Sequence, residues 1–93
     1  MNPRALIAED EPLLAQDLKS ALARAWPALQ VIALAPNGIE ALRLIEGERP
    51  DVAFLDIRMP GLTGLEVAAE LADRLNLGEP VPRIAFVTAY DEY

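Results

Sequence analysis

The chain has 93 residues, no cysteine and no histidine, and 15 acidic against 8 basic residues, for a net charge of −7. That length suits one domain around one core, and 53% hydrophobic with 25% charged residues is a globular composition. The counts exclude disulfides, thiolate catalysis, Cys- or His-based metal sites and Ser-His-Asp chemistry, and they leave no wide basic surface for binding nucleic acid directly. No apolar run is long enough to span a membrane. The opening MNPRALIAED has no long apolar stretch of the secretory type. A cytoplasmic location is the expectation.

The elements alternate along the chain. Residues 4–8 (RALIA) read as a short buried strand ending in the acids Glu9, Asp10 and Glu11. Pro12 suits the first position of a helix. Leu14, Leu18, Ala21, Leu22 and Ala25 give that helix its apolar stripe, and Pro27 stops it. Residues 29–35 (LQVIALA) form a second strand, and Pro36-Asn37-Gly38 a turn. Asn37 caps the next helix, with Glu40 three residues on suggesting a reciprocal cap. Ile39, Leu42 and Ile45 are its stripe and Gly47 its expected stop. Residues 51–55 (DVAFL) read as a third strand ending at Asp56. After the loop IRMPGLTG, Thr63 and Glu66 form a capping box for a helix with Leu65, Ala68, Leu71, Ala72 and Leu75 on one face. Residues 76–82 are a loop, and 83–88 (RIAFVT) a fourth strand.

Strands apolar throughout, alternating with helices, imply an α/β fold with a doubly wound parallel sheet covered on both faces. Ligands of such sheets bind beyond the carboxyl ends of the strands. Those ends carry Glu9, Asp10 and Glu11; Pro36, Asn37 and Gly38; Asp56, Ile57 and Arg58; and Thr88 with Ala89. If the first, third and fourth strands are neighbours, Glu9, Asp10, Asp56 and Thr88 converge. Three carboxylates this close must retain a proton or hold a cation. With neither His nor Cys available, Mg²⁺ is the natural ion. An aspartate here could also act as a nucleophile and form an aspartyl phosphate. Each residue taken singly has a plainer reading. The acids suit a helix N-terminus, Asp56 can serve local backbone hydrogen bonds, and Thr88 is a β-branched strand residue. Their coincidence at one end of one sheet favours function.

LIAEDEP, FLDIRMPGLTGLE and IAFVTAYDEY, with their spacing, resemble the receiver domain of bacterial two-component response regulators over the whole chain. The EDEPL opening and TAYDEY closing further resemble receivers of the LytTR type, whose usual output is a separate DNA-binding domain. The resemblance implies a flavodoxin-like, five-stranded sheet in the order 2-1-3-4-5. It implies that Asp56 accepts a phosphoryl group from a histidine kinase. Asp10 would ligate Mg²⁺ directly, Glu9 through water, and the Arg58 carbonyl as a further ligand, while Thr88 would be the switch hydroxyl. Glu9 stands where the family most often has Asp. Residues 1–93 would then be an incomplete receiver, lacking the fourth helix, fifth strand and fifth helix, the phosphoryl-binding lysine among them. Lys19 on the first helix cannot substitute, and Tyr90 and Tyr93 do not match the family's aromatic switch position. An apolar fourth strand left at the sheet edge would favour a homodimer, paired edge to edge or by exchange of the C-terminal segment.

Three other readings compete. An aspartate-nucleophile phosphohydrolase usually places a second acid two residues after the nucleophile, where this chain has Arg58. An interaction module with a vestigial acidic pocket would show no metal effect. A flavin or dinucleotide binder is weakest, because no glycine-rich phosphate loop follows the first strand.

Overall fold

The computed structural model describes residues 2–87. Thr88, assigned above to the switch hydroxyl, lies outside the described residues, as do Tyr90 and Tyr93. The elements are β1 (Arg4–Ala8), α1 (Pro12–Ala25), β2 (Gln30–Ala35), α2 (Gly38–Glu48), β3 (Val52–Asp56), α3 (Gly64–Asn76) and β4 (Arg83–Val87).

All pairings are parallel, in the order β2-β1-β3-β4. This is the doubly wound sheet the sequence implies, with the first four strands in the expected places. The chain steps one way from β1 to β2, then crosses back to β3 and on to β4. Right-handed crossovers therefore put α1 on one face and α2 with α3 on the other. β1 is central, which explains its continuously apolar sequence: Ala5, Leu6 and Ile7 are 0% exposed. Leu6, Ala8, Ala53 and Leu55 pack under Ala41 and Ile45 of α2 and Val67 and Leu71 of α3. Burial here supplies the main drive to fold, at about 25 cal/mol per Å² of apolar surface.

The helix ends follow their caps. Pro12 opens α1. The Thr63 side chain accepts the Glu66 N–H at 3.1 Å, and the Glu66 carboxylate accepts the Thr63 N–H at 2.9 Å. Asn37 Oδ1 accepts the Glu40 N–H at 2.8 Å. The expected reciprocal bond is replaced by an ion pair: the Glu40 carboxylate takes Arg43 Nη2 at 2.6 Å, one turn along.

Several expectations need correction. α2 does not stop at Gly47; it runs to Glu48, and the left-handed residue that ends it is Arg49, with φ 49° and ψ 61°. β2 starts one residue late, at Gln30, because Leu29 still closes the turn with its N–H on the Trp26 carbonyl. The inner face of α3 is Gly64, Val67 and Leu71, whereas Leu65 and Leu75 are exposed. Of the expected stripe, Leu71 is buried and Ala68 half-buried, while Leu65, Ala72 and Leu75 face solvent. In α1, Ala15 is buried and Leu18 and Leu22 half-buried, while Leu14, Ala21 and Ala25 are exposed. β3 begins at Val52, since the Asp51 carboxylate is already bound to the Arg4 N–H.

Candidate functional site

β1 and β3 are adjacent, and the chain leaves them toward opposite faces, so a crevice opens beyond their carboxyl ends. Glu9 and Asp10 follow β1, and Asp56 is the last residue of β3. Carboxylate oxygens of Glu9, Asp10 and Asp56 lie within 4.8 Å of one another. Asp56 is buried at 8% exposure, Glu9 is half-buried and Asp10 is open to solvent. The sequence named all three, and the fold brings them together.

Local backbone geometry fixes each group. The Glu9 N–H donates to the Ala35 carbonyl at 2.9 Å, extending the β1–β2 ladder one residue beyond the strand. The Glu9 carboxylate accepts the Glu11 N–H at 3.0 Å. Asp56 Oδ1 accepts the Arg58 N–H at 3.3 Å, which turns the loop after β3 back around the carboxylate. Gly64 explains the D-I-R-M-P-G-x-x-G spacing. Its N–H donates to the Ile57 carbonyl at 3.0 Å. A Cβ on it would press into the Asp56 backbone, 2.9 Å from the carbonyl carbon. Only glycine lets the start of α3 sit directly behind Asp56. Arg58, named for its carbonyl, stands on this loop.

Electrostatics mark the cluster. The Glu9 carboxyl is pushed up from 4.5 to about 7, first by burial, then by the Asp10 and Asp56 carboxyls beside it, against the lowering pull of the Glu11 N–H. Near neutral pH Glu9 thus still holds a proton in part of the population. A hard divalent cation can replace it: the donors are all oxygens, one is solvent-open, and the group binding such an ion needs only one or two carboxylates with water completing the shell. The donor set fits Mg²⁺. A second acid two residues after Asp56 is absent, because Arg58 holds that position.

A doubly wound α/β domain with an acidic, cation-suited cluster at its switch point is the class that fold and site define. The model of the response regulator receiver domain matches residues 5–93, and the chain belongs to that family. Receiver domains of response regulators are signalling domains. The chain is 53% identical over 90 residues, 96% of its length and 33% of the relative's, to an uncharacterized response regulatory protein of Vibrio cholerae. It is 44% identical over 88 residues, 95% of its length and 34% of the relative's, to the positive alginate biosynthesis regulatory protein of Pseudomonas aeruginosa. Among solved structures it resembles a DNA-binding response regulator of the LuxR family from Staphylococcus aureus. The TM-score is 0.83 at 33% identity, covering 97% of this chain and 71% of that one. The chain spans about a third of the length of these curated relatives. Among the described residues, no helix is long and apolar enough to cross a membrane.

Proposed function

We propose that the chain is a phosphoacceptor, taking a phosphoryl group from a histidine kinase onto Asp56 and relaying its state to an output domain that controls transcription. The observation that carries this is the placement of Asp56: buried, at the end of β3, within 4.8 Å of Glu9 and Asp10. In the transfer, an Asp56 carboxylate oxygen forms the O–P bond as the P–N bond to the kinase imidazole breaks, and the imidazole keeps the electron pair. Asp10 and Asp56 would hold Mg²⁺ directly, Glu9 through water, with the Arg58 carbonyl as a further ligand. When bound, the ion offsets the negative charge of the phosphoryl oxygens. Thr88 follows directly on Val87, the last residue of β4; its role as the hydroxyl that closes on the phosphoryl group rests on the family resemblance. The transcriptional output, of the LytTR type, is supported by the EDEPL and TAYDEY segments and by relatives named as regulators, among them the transcriptional regulatory protein BtsR of Salmonella typhi.

Asp56→Asn is expected to abolish incorporation of phosphate from acetyl phosphate or a cognate kinase, read as an alkali-labile, hydroxylamine-sensitive label. Label that persists, or moves to Asp10, would remove Asp56 from this role.

Self-association through β4 belongs to the same reading. β4 is an edge of the described sheet, it carries one charge, Arg83, and Phe86 is 46% exposed. Light scattering across a concentration series should show a dimer that Phe86→Lys dissociates. A dimer indifferent to that substitution places the contact elsewhere.

A further inference from the structure

The amino end of the sheet carries a second concavity, at the pole opposite Asp56. It lies where α2 ends, β3 begins and the chain returns from α3 to β4, and it encloses about 360 Å³. That is within the size range of small-molecule sites, roughly 300–1,000 Å³. Ile45, Pro50, Pro80 and Pro82 give it stiff apolar segments, and half of its lining is polar. Its charged groups are Arg49, Arg83 and Asp51.

Two features set this cavity apart. The first is charge. Neither the Arg49 nor the Arg83 guanidinium forms an ion pair or hydrogen bond among the described residues, in a chain where acids outnumber bases 15 to 8. Asp51 does not serve them, since its carboxylate accepts the Arg4 N–H at 2.8 Å. The adjoining cavity of about 190 Å³ shows the contrast: Arg74 there stands between Glu46 at 3.7 Å and Glu70 at 3.6 Å. The second feature is backbone conformation. Arg49 is the one non-glycine residue with positive φ among the described residues. A glycine would end α2 there without steric penalty. A cation at a helix C-terminus is favoured by the helix dipole, but the dipole does not require it to sit on a left-handed residue. Strained residues of this kind gather at ligand clamps.

We propose that this cavity binds a small organic carboxylate with a flat apolar body. The guanidinium groups of Arg49 and Arg83 hold the carboxylate, for which their planar donor forks are matched. Pro50, Pro82 and Ile45 hold the body. The site is independent of the phosphoacceptor chemistry at Asp56.

The test is an amide NMR titration of the whole chain with benzoate, and with benzamide as the uncharged analogue. Benzoate should move the amides of Arg49, Asp51, Val81 and Arg83 saturably, and benzamide should not. Arg83→Gln should weaken benzoate about tenfold, the scale of one lost charge-assisted pair. Arg49→Gly separates binding from folding: it should raise the melting temperature by relieving the left-handed backbone, yet weaken benzoate. Benzoate that leaves these amides unmoved overturns the proposal. So does an equal response to benzamide, or unchanged benzoate binding in both variants.

Discussion

Two aspartates mark the two ends of β3, and the fold treats them in opposite ways. Asp51, just before the strand, is consumed by structure. Its carboxylate accepts the Arg4 N–H at 2.8 Å, its own N–H donates to the Arg4 carbonyl at 2.8 Å, and its carbonyl accepts the Arg83 N–H at 3.0 Å. It ties β1, β3 and β4 together. Asp56, at the other end, faces Glu9 and Asp10 within 4.8 Å. One carboxylate is hydrogen-bonded by the chain itself; the other is placed where the chain concentrates like charge and burial holds a proton on Glu9. The difference separates an acid that completes the fold from one that awaits an ion or a covalent partner.

The comparison breaks most severely at Gly64. Gly64→Ala forces a methyl group against the Asp56 backbone, which cannot swing aside as a side chain would. A cost of about 1–3 kcal/mol is expected, at the upper end for a backbone clash. Denaturant unfolding measures it, and weakened Mg²⁺ binding should accompany it because Asp56 moves. A Gly64→Ala protein as stable as wild type, with unchanged metal affinity, would mean that the loop gives way more easily than its packing indicates.

Mg²⁺ tests the acidic end next. At 100 times its Kd the ion should stabilise the fold by about 2.7 kcal/mol. The pH dependence follows from Glu9, whose carboxyl is raised from 4.5 to about 7 in the fold. The folded state binds the extra proton, so this contribution to metal-free stability is complete below 4.5 and lost as pH rises through about 7. Mg²⁺ needs the deprotonated carboxylate, so its stabilising effect should grow over the same interval. Thermal melts with EDTA and with millimolar Mg²⁺, at pH 6 and pH 8, check both signs. Glu9→Gln should flatten the metal-free dependence. A larger Mg²⁺ effect at pH 6 than at pH 8 would contradict this assignment of the proton to Glu9.

Asp51→Ala gives the smallest effect and sharpens the contrast. It leaves the Arg4 N–H without its side-chain acceptor at a solvent-accessible site, at a cost of about 1 kcal/mol. That loss should be the same with and without Mg²⁺; a metal-dependent loss would show that the two ends of β3 are coupled.

The acidic end was legible in the sequence because its signals are local. Glu9-Asp10 and Asp56 each stand at the end of an apolar run, and Thr63 with Glu66 announces the helix that backs the loop. The amino end was not, because its signals are conformational or distant. Nothing local says that Arg49 rather than Gly47 ends α2, since that depends on where Ile45 is anchored in the core. The partnership of Arg4 with Asp51 depends on strand register. The inner face of α3 is only partly readable for a related reason: Leu71 belongs to it, but hydrophobicity alone cannot choose between stripes containing Leu65 and Val67. The contact with β3 makes that choice. The doubly wound topology was readable, because handedness leaves few ways to wind this alternation, whereas the strand order came only with the family resemblance.

The central position of β1 also governs when the acidic centre can exist. The Arg4–Asp51 bond that begins the β1–β3 seam closes a loop of 47 positions, and loop closure must be met in entropy before the contacts along that seam reward it. Glu9 and Asp10 are therefore made early in synthesis but have no site until β3 has emerged and paired. A chain severed between α2 and β3 would carry Glu9 and Asp10 on one fragment and Asp56 on the other. Divalent-ion affinity would then report the reunion of the two pieces, a sensor of assembly inherent in the winding of the sheet.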